Sequence, residues 1–455
     1  MIELEEIQAV SAELAVSHSN VQRDYVFGWL LCGVYRDPGL SGLLVLKGGN
    51  AFRKAYFPTA RYSDDLDFSC PTGPDPEWLL SRFNEVCEFA SAASGVSFDV
   101  ARNRVADVHS LDKERESIKL RLYFTDFTGR SDAITLSVRV DITEWDKLAL
   151  RPQTRMLIHR YSDATECSGE IRCVALEEAL ADKMKCLLQR RHSSDLFDLV
   201  HGLFAVHELD IDRRLVVSTF LRKTIFEPSP STAMRLLLAI PAEAMRAFWN
   251  KLSCPAESSM EFDVALASLS DGLPSLFAPF PRGDGLAGLY FPADLRNPII
   301  QAGADRRLLE MRYDGMTRLI EPYALSFKRP MGRSPREYLY AWDLSGGRSR
   351  QVGLKSFVAE KVQSVSVTDS PFEPRSEIQL SKAGDRWPGE ELARPFTSGG
   401  ARRGKRTVVH PDRRYLVECG YCGKVFRRVK RSSLLHKHKD GYGNRCYARL
   451  GRIVA

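Results

Sequence analysis

The residues best placed to do chemistry are two acids in "DDLDF", Asp65 and Asp67. Side chains two apart on a strand share a face, so both carboxylates project together while Leu66 and Phe68 turn into a core. Such a pair repels itself unless a divalent cation lies between its members, and hard oxygen ligands of this kind suit Mg2+ carrying a substrate phosphate. Upstream, the apolar run "LVLK" ends in Gly48 and Gly49. Without side chains these let backbone approach backbone, and free N–H groups at the start of a helix near Asn50 would face an anion. A triphosphate and its metal would satisfy both halves. Taken singly, GG and D-x-D also describe a glycine turn and a solvated acidic strand end. The ordered pair, with Arg61 and Ser63 between, is the more specific signal.

A second grouping lies in "ECGYCGKVFRRVKRSSLLHKHKDGYGNRC": Cys419 and Cys422, then His436, His438 and Cys446. A C-x-x-C pair makes the tight thiolate knuckle of a structural Zn2+ site, and a histidine with a third cysteine completes the tetrahedron. Two histidines compete for that place. His438 is favoured because "HKDGYGNRC" resembles the ending of small bacterial zinc ribbons. The same tail holds sixteen Lys and Arg against three Asp and Glu from Ala401 to Ala455, so it is strongly basic while the first 400 residues are acidic on balance. Clustered cations of this kind, interleaved with Tyr421, Phe426 and Tyr442, suit a phosphate backbone, RNA or DNA.

These residues need elements to hold them. "QRDYVFGWLLCGVYRD" reads as a helix leading through "PGLSG" to the glycine strand, and "EWLLSRFNEVCEFASAAS" as a helix after Cys70. "VSFDVAR", "SIKLRLYFT" and "AITLSVRVDIT" alternate as half-buried strands of one sheet, with Asp141 at the end of the last. From Val174 the period turns helical, giving two helices around "RRHSS" and helical texture to about Phe277. Pro and Gly then cluster in "LFAPFPRGDGLAGLYFPADLRNP", which marks a boundary. Beyond it "LLEMRYD", "TRLIEPYAL", "REYLYAWDL", "SRQVGL" and "KVQSVSVTD" have the spacing of a small β-barrel. The expected domains are 1–283, 295–377 and a basic zinc-binding module at 413–455, with a polar, Gly- and Pro-rich linker over 378–412.

At 455 residues, 44% of them hydrophobic and 27% charged, the chain has the composition of a soluble globular protein of two to four domains. No run is long enough to cross a bilayer, and the opening "MIELEEIQAV" is acidic without a basic segment leading into an apolar one, so neither a signal peptide nor a membrane partner is expected. Seven of the ten cysteines are scattered without framework spacing and read as reduced thiols of a cytoplasmic protein.

The first 280 or so residues resemble the AbiEii/AbiGii toxin family of nucleotidyltransferases through "LKGGNAFRKAYF", "RYSDDLDF" and "LEEALADKMKCLLQRRHSSDLFDL" in that order. Asn50 and Asp64 are mild departures. Ser194 is a larger one, since it stands where the family carries Arg and so removes the usual ion-pair partner of Asp195. The resemblance implies an α+β fold: a minimal, polymerase-β-like nucleotidyltransferase domain with a helical C-terminal half. It also implies metal-dependent transfer of a nucleotide from an NTP, often to the acceptor end of tRNA and sometimes to protein, by a toxin or phage-defence effector, and leaves open whether an antitoxin protein is its partner. Asp65 and Asp67 would hold Mg2+, with Gly48, Gly49 and Ser63 at the NTP. Lys183 would place its ammonium against the β and γ phosphates. Asp198 would orient Lys183 or the acceptor hydroxyl, and Asp141 would be a third metal ligand or the general base.

Residues Leu308 to Pro374 resemble a WYL domain, an Sm-like barrel, through "MRYDGMTRLIEPYAL", "REYLYAWD" and "SVSVTDSPFEP", with Glu337 in place of the triplet's Trp. The resemblance implies a nucleotide or nucleic-acid ligand, for which Tyr338, Arg348 and Arg350 are the candidates. A different class of function, a non-catalytic nucleic-acid sensor built on the WYL-like and zinc modules, also accommodates these features, as does nucleotidylation of protein or a small molecule. Retention of Asp65, Asp67 and Lys183 together favours the RNA-modifying enzyme.

Overall fold

The computed structural model describes residues 2–71, 73–110, 116–125, 135–144, 148–190, 192–281, 283, 288–328, 334–375, 415–419, 425–428, 435, 438–439, 445–446 and 451–453. The chain forms two compact units, Met1–Ala393 and Arg394–Ala455.

In the first unit, alternating apolar residues build a seven-stranded mixed sheet. Its strands are β1 Val45–Lys47, β2 Asp65–Cys70, β3 Arg104–Ser110, β4 Glu116–Thr125, β5 Thr135–Glu144, β6 Gln153–Met156 and β7 Glu170–Cys173, ordered β3-β4-β5-β2-β1-β7-β6. β2 runs parallel to β5 and β1 parallel to β7, while β1 and β2 are antiparallel. Leu66 and Phe68 are fully buried, whereas Asp65 and Asp67 alternate with them on the other face.

The helices are α1 Leu4–Leu14, α2 His18–Arg36, α3 Pro38–Ser41, α4 Gly48–Ala51, α5 Pro76–Ser94, α6 Leu176–Gln189, α7 Ser193–Val200, α8 Arg213–Lys223, α9 Pro230–Leu238, α10 Glu243–Trp249, α11 Phe262–Phe277 and α12 Ala293–Ala304. Local chemistry sets several ends. Asp75 caps α5 by accepting the Trp78 N–H, with Pro76 in the first turn and Gly95 closing the helix at φ 77°. A continuous apolar core joins the sheet to the helices as far as Phe277.

A second, smaller core lies between α12 and five antiparallel strands: β8 Arg307–Tyr313, β9 Met316–Lys328, β10 Arg336–Asp343, β11 Gly353–Val358 and β12 Val362–Pro371. Their order is β11-β10-β9-β8-β12. This corrects the expected small barrel: among the described residues the edge strands β11 and β12 do not pair, and the sheet stays open. Ile299 and Ile300 of α12 cover its apolar face, so burial is achieved by a helix rather than by closure.

Two expected strands also differ. In "VSFDVAR" the chain makes only an isolated bridge from Phe98 to Phe124 and then a 3-10 turn at Val100–Arg102, with the edge strand starting at Arg104. Just before "SRQVGL", Gly346 and Gly347 take positive φ and lead a 3-10 turn, Arg350 follows at φ 53°, and the strand begins only at Gly353.

The second unit contains β13 Tyr415–Cys419, β14 Val425–Arg428, β15 His438–Lys439, β16 Arg445–Cys446 and β17 Gly451–Ile453, with sheet order β14-β13-β17 and a separate β15-β16 pair. The expected linker, 378–412, lies outside the described residues. No helix among the described residues is long and apolar enough to cross a membrane.

Candidate active site

Strand register builds the acidic centre. Asp67 is the Cα partner of Asp141 across the parallel β2–β5 pair and of Lys47 across the antiparallel β1–β2 pair. Asp65, Asp67 and Asp141 each offer a carboxylate oxygen within 4.8 Å of the others. Burial, and then the charges of Asp65 and Asp141, push the Asp67 carboxyl well above the usual carboxylate range, while Lys47 and Lys183 oppose the rise. Arg139 approaches Asp65 at 3.7 Å and Lys119 approaches Asp141 at 3.8 Å. The donor set is three hard oxygens converging with net negative charge, which fits a divalent cation of the Mg2+ type. Asp141 lies within β5, three residues before its end, rather than at the strand terminus.

The two glycines allow this centre to form. Gly48 sits at φ 71°, and a Cβ there would collide with Asp67 Oδ2. A Cβ on Gly49 would come within 2.7 Å of Ser63 Oγ and 3.1 Å of Arg61 Nη2. The backbone after β1 therefore lies directly against the acids and the Arg61–Ser63 run. Asn50 ties the two together by donating from Nδ2 to the Asp65 carbonyl oxygen at 2.5 Å. The Ser63 hydroxyl donates to Asp65 Oδ1 at 3.2 Å, so this side chain also belongs to the acidic centre. α4 is a single turn and passes into a π-helical turn over Phe52–Tyr56.

Lys183 projects from the buried side of α6 into a compact ionic cluster. Its Nζ lies 2.9 Å from Asp195 Oδ1 and 2.8 Å from Asp198 Oδ2, carboxylates one turn apart on α7. Arg61 takes Asp198 through Nε and Nη2, both at 2.9 Å. Arg190 takes Asp195 through Nε at 2.7 Å and Nη2 at 3.0 Å. Burial alone would lower the Lys183 pKa, but Asp198 and Asp195 outweigh it and hold the group above the ordinary lysine range. Burial would likewise raise Asp195, yet Arg190 and Lys183 hold it far below the usual carboxylate range. Lys183 is thus a fully charged cation kept in one position, with the Phe52 ring 5.9 Å from its Nζ.

The structure therefore brings together Gly48, Gly49, Ser63, Asp65, Asp67, Asp141, Lys183 and Asp198. Arg61 and Asp195, noted in the sequence without an assigned role, belong to the same site, and so does Arg190, which the sequence did not single out. Arg190 reaches Asp195 from the end of α6, across the break before α7, which no spacing within one helix indicates.

The other candidates fall elsewhere. Tyr338 is the third residue of β10, whereas Arg348 and Arg350 lie in the turn after that strand. At about 3.3 Å per residue, Tyr338 is roughly 17 Å from the strand end where the turn begins, so the three do not form one cluster. Arg348 instead pairs with Asp314 at 3.5 Å on the surface. In the second unit, Cys419 is buried at the end of β13, and His438 and Cys446 are Cα partners in the β15-β16 pair. Cys422 lies outside the described residues.

The family model for the nucleotidyl transferase AbiEii toxin of Type IV toxin–antitoxin systems matches residues 29–268. Among solved structures, MenT4, a nucleotidyltransferase toxin from Mycobacterium tuberculosis H37Rv, is 23% identical, with 61% of this chain and 90% of that one covered at a TM-score of 0.42. A protein from H. pylori provisionally assigned as a nucleotidyltransferase is 13% identical, with 58% and 97% covered at a TM-score of 0.36. No curated protein matches the chain. The matched span holds β2 with its acids, the glycine turn, α6 and α7, and the chain belongs to the AbiEii toxin family of nucleotidyl transferases.

Proposed function

We propose that the protein transfers a nucleotide from an NTP to an RNA acceptor, tRNA foremost, with Mg2+ held by Asp65, Asp67 and Asp141. The observation that carries this reading is the convergence of those three carboxylates within 4.8 Å beside the Gly48 turn. Mg2+ bound there would neutralise triphosphate charge and favour the alkoxide form of the attacking hydroxyl. Around it, Lys183 supplies an ammonium for the β and γ phosphates, and the backbone at Gly49 and the Ser63 hydroxyl border the same space. Asp198, at 2.8 Å from Lys183 Nζ, acts by orienting that ammonium. Arg61 and Arg190 share the charges of Asp198 and Asp195, so the ammonium held between those carboxylates keeps charge and a further N–H for phosphate. The acceptor oxygen bonds to the α-phosphorus as the α–β bridging bond breaks, pyrophosphate leaves, and Asp141 takes the hydroxyl proton.

An RNA acceptor is supported by the outer face of β10. Tyr338, Tyr340 and Trp342 alternate there with buried residues. Lys328 lies over the Tyr340 ring at 5.0 Å and Arg375 over Trp342 at 4.6 Å. Such aromatic and cationic pairs suit bases and phosphates. The basic tail, carrying Zn2+ on Cys419, Cys422, His438 and Cys446, would add phosphate contacts. The Type IV toxin–antitoxin family supports an antitoxin protein as a further partner, with the reaction taking place in the cytoplasm. The test is incubation of the purified chain with each labelled NTP, Mg2+ and total RNA. Label in a tRNA-sized band is expected; label only in protein, or none with any NTP, overturns the reading.

A further inference from the structure

Helix α6 carries Lys183, and its last turn is tied to the second sheet at two points. Arg296 of α12 donates from Nη1 to the Leu188 carbonyl oxygen at 2.6 Å, and Gln189 donates from Nε2 to the Leu325 carbonyl oxygen on β9 at 3.1 Å. The Leu188 carbonyl is among the last four of α6, which have no N–H partner inside the helix, so the guanidinium both caps the helix and complements its negative end. Arg296 is itself held on two further sides: Nε donates to the Phe291 carbonyl oxygen at 3.1 Å and Nη2 to Glu337 Oε2 at 2.5 Å. Glu337 Oε2 also accepts the Phe291 N–H at 2.9 Å. The pair is almost completely buried, at 2% and 0% exposure.

The arrangement is costly for a sheet core. Glu337 Oε1 is buried and has no hydrogen-bond partner among the described residues. Well-packed apolar residues would stabilise the same space at least as well as a buried ion pair. What the pair adds is direction, because it aims one guanidinium at one carbonyl. Two residues beyond that carbonyl, Arg190 grips Asp195, and Asp195 grips Lys183. We propose that Arg296 and Glu337 are positioning residues for nucleotidyl transfer: they fix the end of α6 and, through Arg190 and Asp195, the place of the Lys183 ammonium. The inference rests on the reading of Lys183 as the cation that receives the triphosphate.

The test uses the full chain and the variant Arg296→Met with Glu337→Leu, which removes both charges and leaves neither group buried alone. Circular dichroism and the thermal midpoint report folding, and titration with a fluorescent non-hydrolysable NTP in Mg2+ reports affinity. The paired change is expected to weaken NTP binding about tenfold, on the scale of a sub-ångström misplacement of a site group. Combined with Lys183→Ala it is expected to add almost nothing, because both act on one contact. Equal weakening in both backgrounds marks a general structural effect and overturns the proposal, as does unchanged affinity in the folded paired variant. If Lys183→Ala alone leaves NTP affinity intact, the reading of Lys183 fails and the proposal falls with it; the two outcomes above, by contrast, leave that reading standing. Should the paired variant not fold, Gln189→Leu cuts the other tie and carries the same expectation and the same refutation.

Discussion

Asp67 and Asp141 face each other in register on neighbouring parallel strands, so their carboxylates are brought together by backbone hydrogen bonding rather than by attraction. The fold works against this repulsion, which a bound cation would relieve. Asp67→Asn is therefore expected to raise the thermal midpoint of the metal-free protein while abolishing transfer. Mg2+ should stabilise the wild type by mass action but leave the variant unmoved. A metal-induced shift of equal size in both proteins would remove Asp67 from the cation site.

Gly48→Ala tests the close approach of the glycine turn to the acids. The position needs φ 71°, and the added methyl would meet Asp67 Oδ2, so both backbone strain and displacement of the carboxylate follow. The backbone term alone is about 1–2 kcal/mol. Urea unfolding should show at least that loss, and transfer should fall further than Gly42→Ala causes, where the space is open. Equal activity for the two variants would show that the turn is not part of the site.

Asp195 is fully buried between Arg190 and Lys183, and its pH signature is distinctive. Its folded pKa lies far below the ordinary value of about 3.9, so its contribution to stability is present above that value and is lost as pH falls toward the folded pKa. Asp195→Asn should therefore cost about 3 kcal/mol near pH 7, the scale for breaking one side of a buried ion pair. The gap to wild type in urea midpoints should narrow as pH drops below about 4. A gap independent of pH would mean that the carboxylate charge is not what stabilises the cluster.

How far the sequence carries is clearest at three residues. Asp65 and Asp67 were legible as a pair because strand period places alternate side chains on one face whatever the partner strand. Asp141 was visible only as a candidate, since its place beside Asp67 depends on the register of two parallel strands separated by more than seventy residues, which no local pattern encodes. Arg190 was hidden altogether. Its partner stands five residues on, across a break at His192, and helical spacing rules apply only within one helix. The same limit explains the second sheet: "REYLYAWD" was legible as a strand, but not that Glu337 on it holds Arg296, nor that α12 would cover the sheet and leave it open. In "SRQVGL" the alternation was misleading because the positive φ of Gly346 and Gly347 turns the chain before pairing begins.

The basic tail offers a prediction of a different kind, about how an acceptor is held. Residues from Ala401 onward carry an excess of thirteen positive charges, enough for several phosphate contacts. Each lost phosphate contact reduces the slope of log affinity against log salt by about one. Truncation after Ala393, where the first compact unit ends, should therefore weaken RNA binding and flatten its salt dependence, as measured by filter binding at several salt concentrations. The acids, the glycine turn and Lys183 all lie before the cut, so chemistry at saturating RNA should be unchanged while more RNA is needed to reach it. If Zn2+ sits on the proposed ligands, Cys419→Ser with Cys422→Ser should release it and reproduce part of the binding loss, because a module too small for a core of its own would depend on its metal to fold. A fall in saturated turnover with unchanged RNA affinity would instead place the tail within the catalytic step and end the tethering interpretation.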